Sequence, residues 1–269
     1  MDLASFVQYI VDNDETTIDL EDTNINDDGA TALATALHEN TTLTYLHLGC
    51  NNIRAKGATA LAMALLVNTT LTSLILGYND IRNDGATAVA TALLINTTLT
   101  HINLIGNQIG DDGATALATG LDGNTTLIRL NLESNDIGND GATALAMALY
   151  RNMTLTTLSF WNNKIGNFGA KALSEALDTN TTLLSLDIEY NNVGDDNAWA
   201  ITTKLQRNVD SYDVMFWQPA WHSDFPAGLH DLVFTTLLCN EVVGEKKLPR
   251  LPLVVWKEVF SFYCRKAFY

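Results

Sequence analysis

The chain is short of cationic side chains: 15 Lys and Arg stand against 31 Asp and Glu, a formal net charge of -16 over 269 residues. Phosphate polyanions need a basic footprint, so nucleic acid and anionic membranes are excluded as natural partners. The acidity either keeps the chain soluble or complements a basic protein surface. Much of it sits near the start, in Asp12, Asp14, Glu15, Asp19, Glu21, Asp22, Asp27 and Asp28.

Cysteine is scarce too. Cys50, Cys239 and Cys264 are odd in number and far apart, which suits neither a disulfide framework nor a CxxC zinc site and leaves reduced thiols. Long apolar runs are missing: Thr, Asn and Asp break each one well before the roughly 20 residues of a bilayer span. Met1-Asp2-Leu3-Ala4 lacks the basic start of a secretory signal, so a soluble, cytoplasmic protein is expected, delivered into a host cell if its source is bacterial. No P-loop, G-x-G-x-x-G or H-E-x-x-H occurs, and neither cofactor nor metal is expected.

What is abundant is order. Gly29, Gly57, Gly85, Gly113, Gly141 and Gly169 recur every 28 residues, with Asn197 next; Leu43, Leu71, Leu99, Leu127, Leu155 and Leu183 keep the same step. Each unit holds an alternating segment such as Tyr45-Leu46-His47-Leu48, a short strand with one buried face. Each also holds a stretch such as Gly29 to Leu37, where Ala30, Leu33, Ala34 and Leu37 form the apolar stripe of a helix. Strand and helix alternating seven times in one hand predict an α/β solenoid, parallel sheet on one side and helices on the other.

Three polar series follow the same period. Thr23, Asn51, Asn79, Asn107, Asn135, Asn163 and Asn191 are placed to satisfy main-chain groups where the chain leaves the strand. Asp28, Asp84, Asp112, Asp140 and Asp196 directly precede the helix pattern and are expected to cap it, a calcium ladder being the alternative. The Asn-x-Thr sequons at Asn40, Asn68, Asn96, Asn124, Asn152 and Asn180 would be glycan acceptors in a secreted protein. Their fixed place predicts instead a left-handed helix-ending Asn.

The pattern L-x-L-x-x-N-x-I followed by D-G-A-T-A-L-A resembles the ribonuclease-inhibitor-like leucine-rich repeats over residues 16–208, shared with Ran GTPase-activating proteins and the sensing arms of NOD-like receptors. The resemblance implies a horseshoe segment with a concave binding face and no common chemistry; its Ran-activator branch would imply a GTPase regulator.

Seven copies can be compared with one another, and they vary in slots facing outward from the strands. Those slots hold Tyr45, His47, Ile75, Tyr78, His101, Ile105, Arg129, Glu133, Trp161 and Tyr190. Aromatics, apolar residues and Arg are the types that anchor interfaces, so this concave face is the expected protein-binding site. Cys50, His47 and Asp19 could be assembled as a hydrolase set, but an open sheet excludes little water, and a His47–Asp19 ion pair is the simpler expectation.

The ends differ. Residues 1–15, with Leu3, Phe6, Val7 and Ile10 at helical spacing, predict an N-terminal cap. Residues 209–269 are aromatic-rich and predict a helical hairpin, either a cap or a docking module. Residues 225–264 loosely resemble the SOCS box, or the end of an F-box helix, of cullin-RING ubiquitin-ligase receptors. That resemblance implies adaptor docking by Leu229, Leu232, Val233, Leu251, Pro252, Trp256 and Phe260.

Overall fold

The structure, a computed structural model, describes residues 15–216. In chain order the elements are β1 (Thr17–Asp19), α1 (Asp27–Glu39), β2 (Tyr45–His47), α2 (Ala55–Leu65), β3 (Ser73–Ile75), α3 (Arg82–Leu93), β4 (His101–Asn103), α4 (Asp111–Gly123), β5 (Arg129–Asn131), α5 (Asn139–Leu149), β6 (Thr157–Ser159), α6 (Asn167–Ala176), β7 (Ser185–Asp187) and α7 (Asp195–Phe216). The strands form one parallel sheet in sequence order, β1 to β7. Register is one period throughout, as in Thr17↔Tyr45, Tyr45↔Ser73 and Ser73↔His101.

A three-residue strand has no stability alone; its ladder exists only because the next turn repeats it. The core is a stack of equivalent side chains. Leu46, Leu74, Ile102, Leu130 and Leu158 come from the strands and Leu33, Leu61, Val89, Leu117, Leu145 and Leu173 from the helices, all buried. Each such side chain contributes roughly 1.5–3 kcal/mol by leaving water. Neighbouring strands lie about 4.8 Å apart and packed helices about 8–10 Å apart, so the sheet lines the shorter, concave side of the array.

The first Asn ladder does what its spacing predicts. Asn51 donates from Nδ2 to the carbonyls of Leu20, Leu48 and Gly49 and accepts the Ile25 amide at 2.8 Å. The sequon Asn series is a second buried ladder rather than a set of left-handed caps. Asn40 and Asn124 have φ of -74° and -87°, and each residue of the series from Asn68 to Asn180 donates to main-chain carbonyls of the preceding turn. A glycan on Nδ2 would break those bonds. Buried Asn208 extends the ladder, donating to Asn180 and Leu183 carbonyls at 2.9 Å each.

The expected Asp caps are also corrected. Asp28, Asp84, Asp112, Asp140 and Asp196 already lie inside the helices and are exposed. α1 is capped in its own turn by Asn26, which accepts the Gly29 amide at 3.0 Å; α2, α5 and α6 are capped from the turn before, by the residue that precedes the Asp position there. Asp27 Oδ1 accepts the amides of Arg54 and Gly57 at 2.8 and 2.9 Å; Asp111 does so for Gly138 and Gly141, and Asn139 for Gly166 and Gly169. The helices stack closely enough for the first-turn side chain of one to reach the open N–H groups of its successor.

No helix among the described residues is long and apolar enough to cross a membrane. The cap in residues 1–15 is described only at Glu15. α7 continues through position 209, where the period stops, to Phe216. The hairpin expected in residues 209–269, with Leu229, Leu232, Val233, Leu251, Pro252, Trp256 and Phe260, falls from position 217 onward outside the described residues.

Candidate functional site: the strand face

The outward side chains of the strands and their following turns fall into rows. Positions 21, 49, 77, 105, 133, 161 and 189 make one row; positions 22, 50, 78, 106, 134, 162 and 190 make the next. Main-chain bonds join adjacent turns along them, such as Gly106 N to Glu133 O at 2.9 Å, Ser134 N to Trp161 O at 2.8 Å and Asn162 N to Glu189 O at 2.9 Å.

All ten predicted interface residues lie on this face, in three chemically distinct groups. At the first turns, His47 Nδ1 pairs with Asp19 Oδ1 at 2.9 Å, and the Tyr45 ring lies 6.4 Å from that of His47. The Glu21 amide donating to Asp19, with the His47 hydrogen bond and charge behind it, holds the Asp19 carboxyl below its ordinary range. Cys50 Sγ donates to Glu21 Oε1 at 3.6 Å. Partial desolvation, that bond and the charges of Glu21 and Asp22 push the Cys50 thiol up. A nucleophilic thiol needs the opposite, a base and a lowered pKa. His47 is engaged by Asp19, as the simpler reading expected.

The middle turns are apolar. Ile75 is half-buried, Tyr78 is 55% exposed with its ring over Gly106, and Ile105 is half-buried with its side chain folded over Gly77. A Cβ at Gly106 would meet the Tyr78 ring at 2.6 Å and one at Gly77 would meet Ile105 at 2.4 Å, so these glycines let the large neighbours lie flat. His101 and exposed Arg129 are partners across β4 and β5. Partial burial, then the Arg129 charge, lowers the His101 pKa.

The last turns are aromatic and acidic. The Trp161 and Tyr190 rings lie 4.8 Å apart at 56°, Tyr190 being 70% exposed. Glu133 and Glu189 occupy the Trp161 row on the turns to either side.

The second row carries a signal that residue types alone concealed. Asp22, Cys50, Tyr78, Ser134, Asn162 and Tyr190 all have φ between 51° and 55°, and Gly106 has 65°. This left-handed conformation costs a residue with a Cβ roughly 1–2 kcal/mol and suits Gly or Asn. Two of the most exposed aromatics on the face therefore sit where the backbone disfavours them. Local cost kept at an exposed position points to use, not to stability.

Sequence reasoning singled out Trp199, a bulky replacement for a helix Thr that is 72% exposed, but passed over the rest of an exposed apolar set on the helical side: Met63, Leu94, Ile95, Met147 and Phe168, the last 82% exposed. Comparing the copies at their helix slots, and not only at their strand slots, would have found it, because the equivalents of Met63 and Met147 in other turns are Thr35, Thr91 and Thr119.

An open parallel sheet backed by helices, turned seven times with one varied face, defines a repeat-built binding scaffold. Seven stretches, residues 16–34, 39–62, 67–90, 96–118, 123–146, 151–174 and 179–197, match the model of the family described as Leucine Rich repeat. The chain belongs to the leucine-rich-repeat family; the match does not separate its ribonuclease-inhibitor-like subclass.

Among solved structures it is similar to "Leiomodin-1 Actin-Binding Site 2 (ABS2)", 28% identical, covering 60% of this chain and 92% of that one, with a TM-score of 0.53. It is also similar to the tropomodulin C-terminal domain of Caenorhabditis elegans, 16% identical over 57% of this chain and 96% of that one, TM-score 0.51, a likeness of fold. No curated protein sequence matches the chain significantly.

Proposed function

We propose that the chain is an interaction module that grips a protein partner on its strand face. The observation that carries this is the placing of Tyr78 and Tyr190 in left-handed positions, beside Ile75, Ile105 and Trp161, on a surface whose fold needs none of them. Large, stiff aromatics with apolar neighbours supply contact area at low entropic cost. The thiol of Cys50, bound to Glu21 and pushed up in pKa, supports binding over catalysis. The free thiol and the buried sequons favour an intracellular setting.

Replacing Tyr78, Ile105 and Trp161 together with Ala should abolish recovery of the main partner in a crosslinking pulldown while leaving the circular dichroism spectrum unchanged. Recovery undiminished by the triple variant refutes the assignment.

The leiomodin likeness supports a second reading, in which the partner is actin. Co-sedimentation of the chain with filamentous actin, and gel filtration with monomeric actin, test it. Absence of both interactions removes actin and leaves the face open to another protein.

A further inference from the structure

We infer that the Trp161–Tyr190 pair receives an arginine or lysine side chain from an extended basic segment of the partner. This rests on the strand face being the partner surface. The two rings, 4.8 Å apart and tilted by 56°, form an aromatic pair on the strand face, Trp161 half-buried and Tyr190 70% exposed. Aromatic faces attract cations through their quadrupole, most strongly in Trp.

The rim decides between a cation and an apolar guest. Glu133 and Glu189 hold the same row as Trp161 on the turns to either side, about 5 Å away by strand spacing. Asp187, on β7 two residues before Glu189, accepts the Glu189 amide at 2.9 Å. None of these three carboxylates takes part in an ion pair among the described residues. Arg129 is the first residue of β5, four residues from Glu133 and so roughly 13 Å away along the strand direction. An aromatic pair rimmed by acids without a cationic partner repels anions and rewards a guest that brings positive charge. The Ile75, Tyr78 and Ile105 group has an acid on one side only, Glu133 one turn beyond Ile105, and glycines at Gly77 and Gly106 in place of others, so it suits an apolar guest. Net charge of -16 gives long-range attraction of the same sign.

The spacing sets the partner's pattern. Tyr78 and Tyr190 belong to one row four turns apart, about 19 Å at strand spacing. An extended segment covers that span in roughly six residues at about 3.3 Å each. The fitting ligand is a basic segment with an apolar residue and a cationic one about six positions apart.

The test uses the full chain and a fluorescein-labelled peptide in which Leu and Arg are separated by five Gly/Ser residues. Its twin carries citrulline, which keeps the shape of Arg and removes its charge. Fluorescence anisotropy should show the Arg peptide binding at least about fivefold more tightly. Trp161→Ala and Tyr190→Ala, which leave net charge untouched, should erase that ratio, and Trp161→Phe should keep most of it. The inference is overturned if neither peptide binds, if both bind equally, or if Trp161→Ala leaves the ratio intact, the mark of bulk acidity. Equal binding together with a pulldown lost in the triple variant rejects the cation site and keeps the interaction module.

Discussion

The side-chain amide of Asn68 donates to the carbonyl of Leu37, 31 residues earlier, at 2.8 Å, and to that of Asn40 at 3.1 Å. Its Oδ1 accepts the amides of Thr70 and Leu71 at 3.1 and 2.8 Å. One buried side chain thus closes the last turn of α1 and fixes the entry to β3. Asn68→Ala leaves four main-chain groups without partners and should cost about 2–4 kcal/mol in urea unfolding. The exposed neighbour serves as control, Thr69→Ala staying within about 0.5 kcal/mol. A loss under about 1 kcal/mol for Asn68→Ala would mean that water replaces the ladder.

Gly120 lies where α4 runs against α3: a Cβ there would meet the Ala90 carbonyl oxygen at 2.6 Å and its Cα at 3.0 Å. Helix propensity favours Ala by about 1 kcal/mol, yet the obstacle is backbone and cannot rotate away. Gly120→Ala should therefore lower stability by about 1–3 kcal/mol, read from the denaturant midpoint at constant slope. A stabilised variant would show that the two helices can separate without loss.

Tyr190 has φ 55° and is 70% exposed. Asn tolerates that conformation better, while the Trp161 ring contact is lost, and the two effects of about 1 kcal/mol oppose each other. Tyr190→Asn should keep its melting free energy within about 1 kcal/mol of the parent and lose partner binding. A large drop in stability would make Tyr190 a structural residue and remove it from the proposed site.

His101 gives a pH signature. Partial burial and the Arg129 charge place its folded-state pKa below 6.5, so as pH falls the unfolded chain takes up the proton first. Stability is full above the unfolded value near 6.5 and declines as pH falls toward the lowered folded value, below which it changes no further on this account. An NMR titration of the His101 ring should have its midpoint below 6.5. Arg129→Ala should raise the midpoint only part of the way, because burial is the larger cause. A midpoint at or above 6.5 contradicts the assignment.

The fold was legible because one period of 28 repeats both the strand pattern and the helix pattern, so Ile18, Leu46 and Leu74 could be placed on one inner face before any coordinates. The face was legible for the same reason: the slots that vary are those the core does not use. Capping was misread at Asp28, Asp84, Asp112, Asp140 and Asp196, because sequence order shows what precedes a helix in its own turn and not what lies beside it in the next. The slot that does cap holds Asp27, Asn83, Asp111, Asn139 and Asn167, an Asx series hidden by the Ala at position 55. The left-handed slot was missed because Asp22, Cys50, Tyr78 and Ser134 share a backbone conformation and no chemistry. Asn208 escaped notice since no Thr follows it to complete the sequon.

The caps run in a fixed sense: Asp27, Asp111 and Asn139 each serve the helix start of the turn that follows, while Asn68, Asn96 and Asn124 each serve the helix end of the turn before. A cut between turns would strip donors of their acceptor on one fragment and acceptors of their donor on the other. The two wounds match each other in shape and hydrogen bonding. Fragments of this array would therefore be adhesive head to tail, and any array of this kind resists filament growth only where its outermost turns are covered.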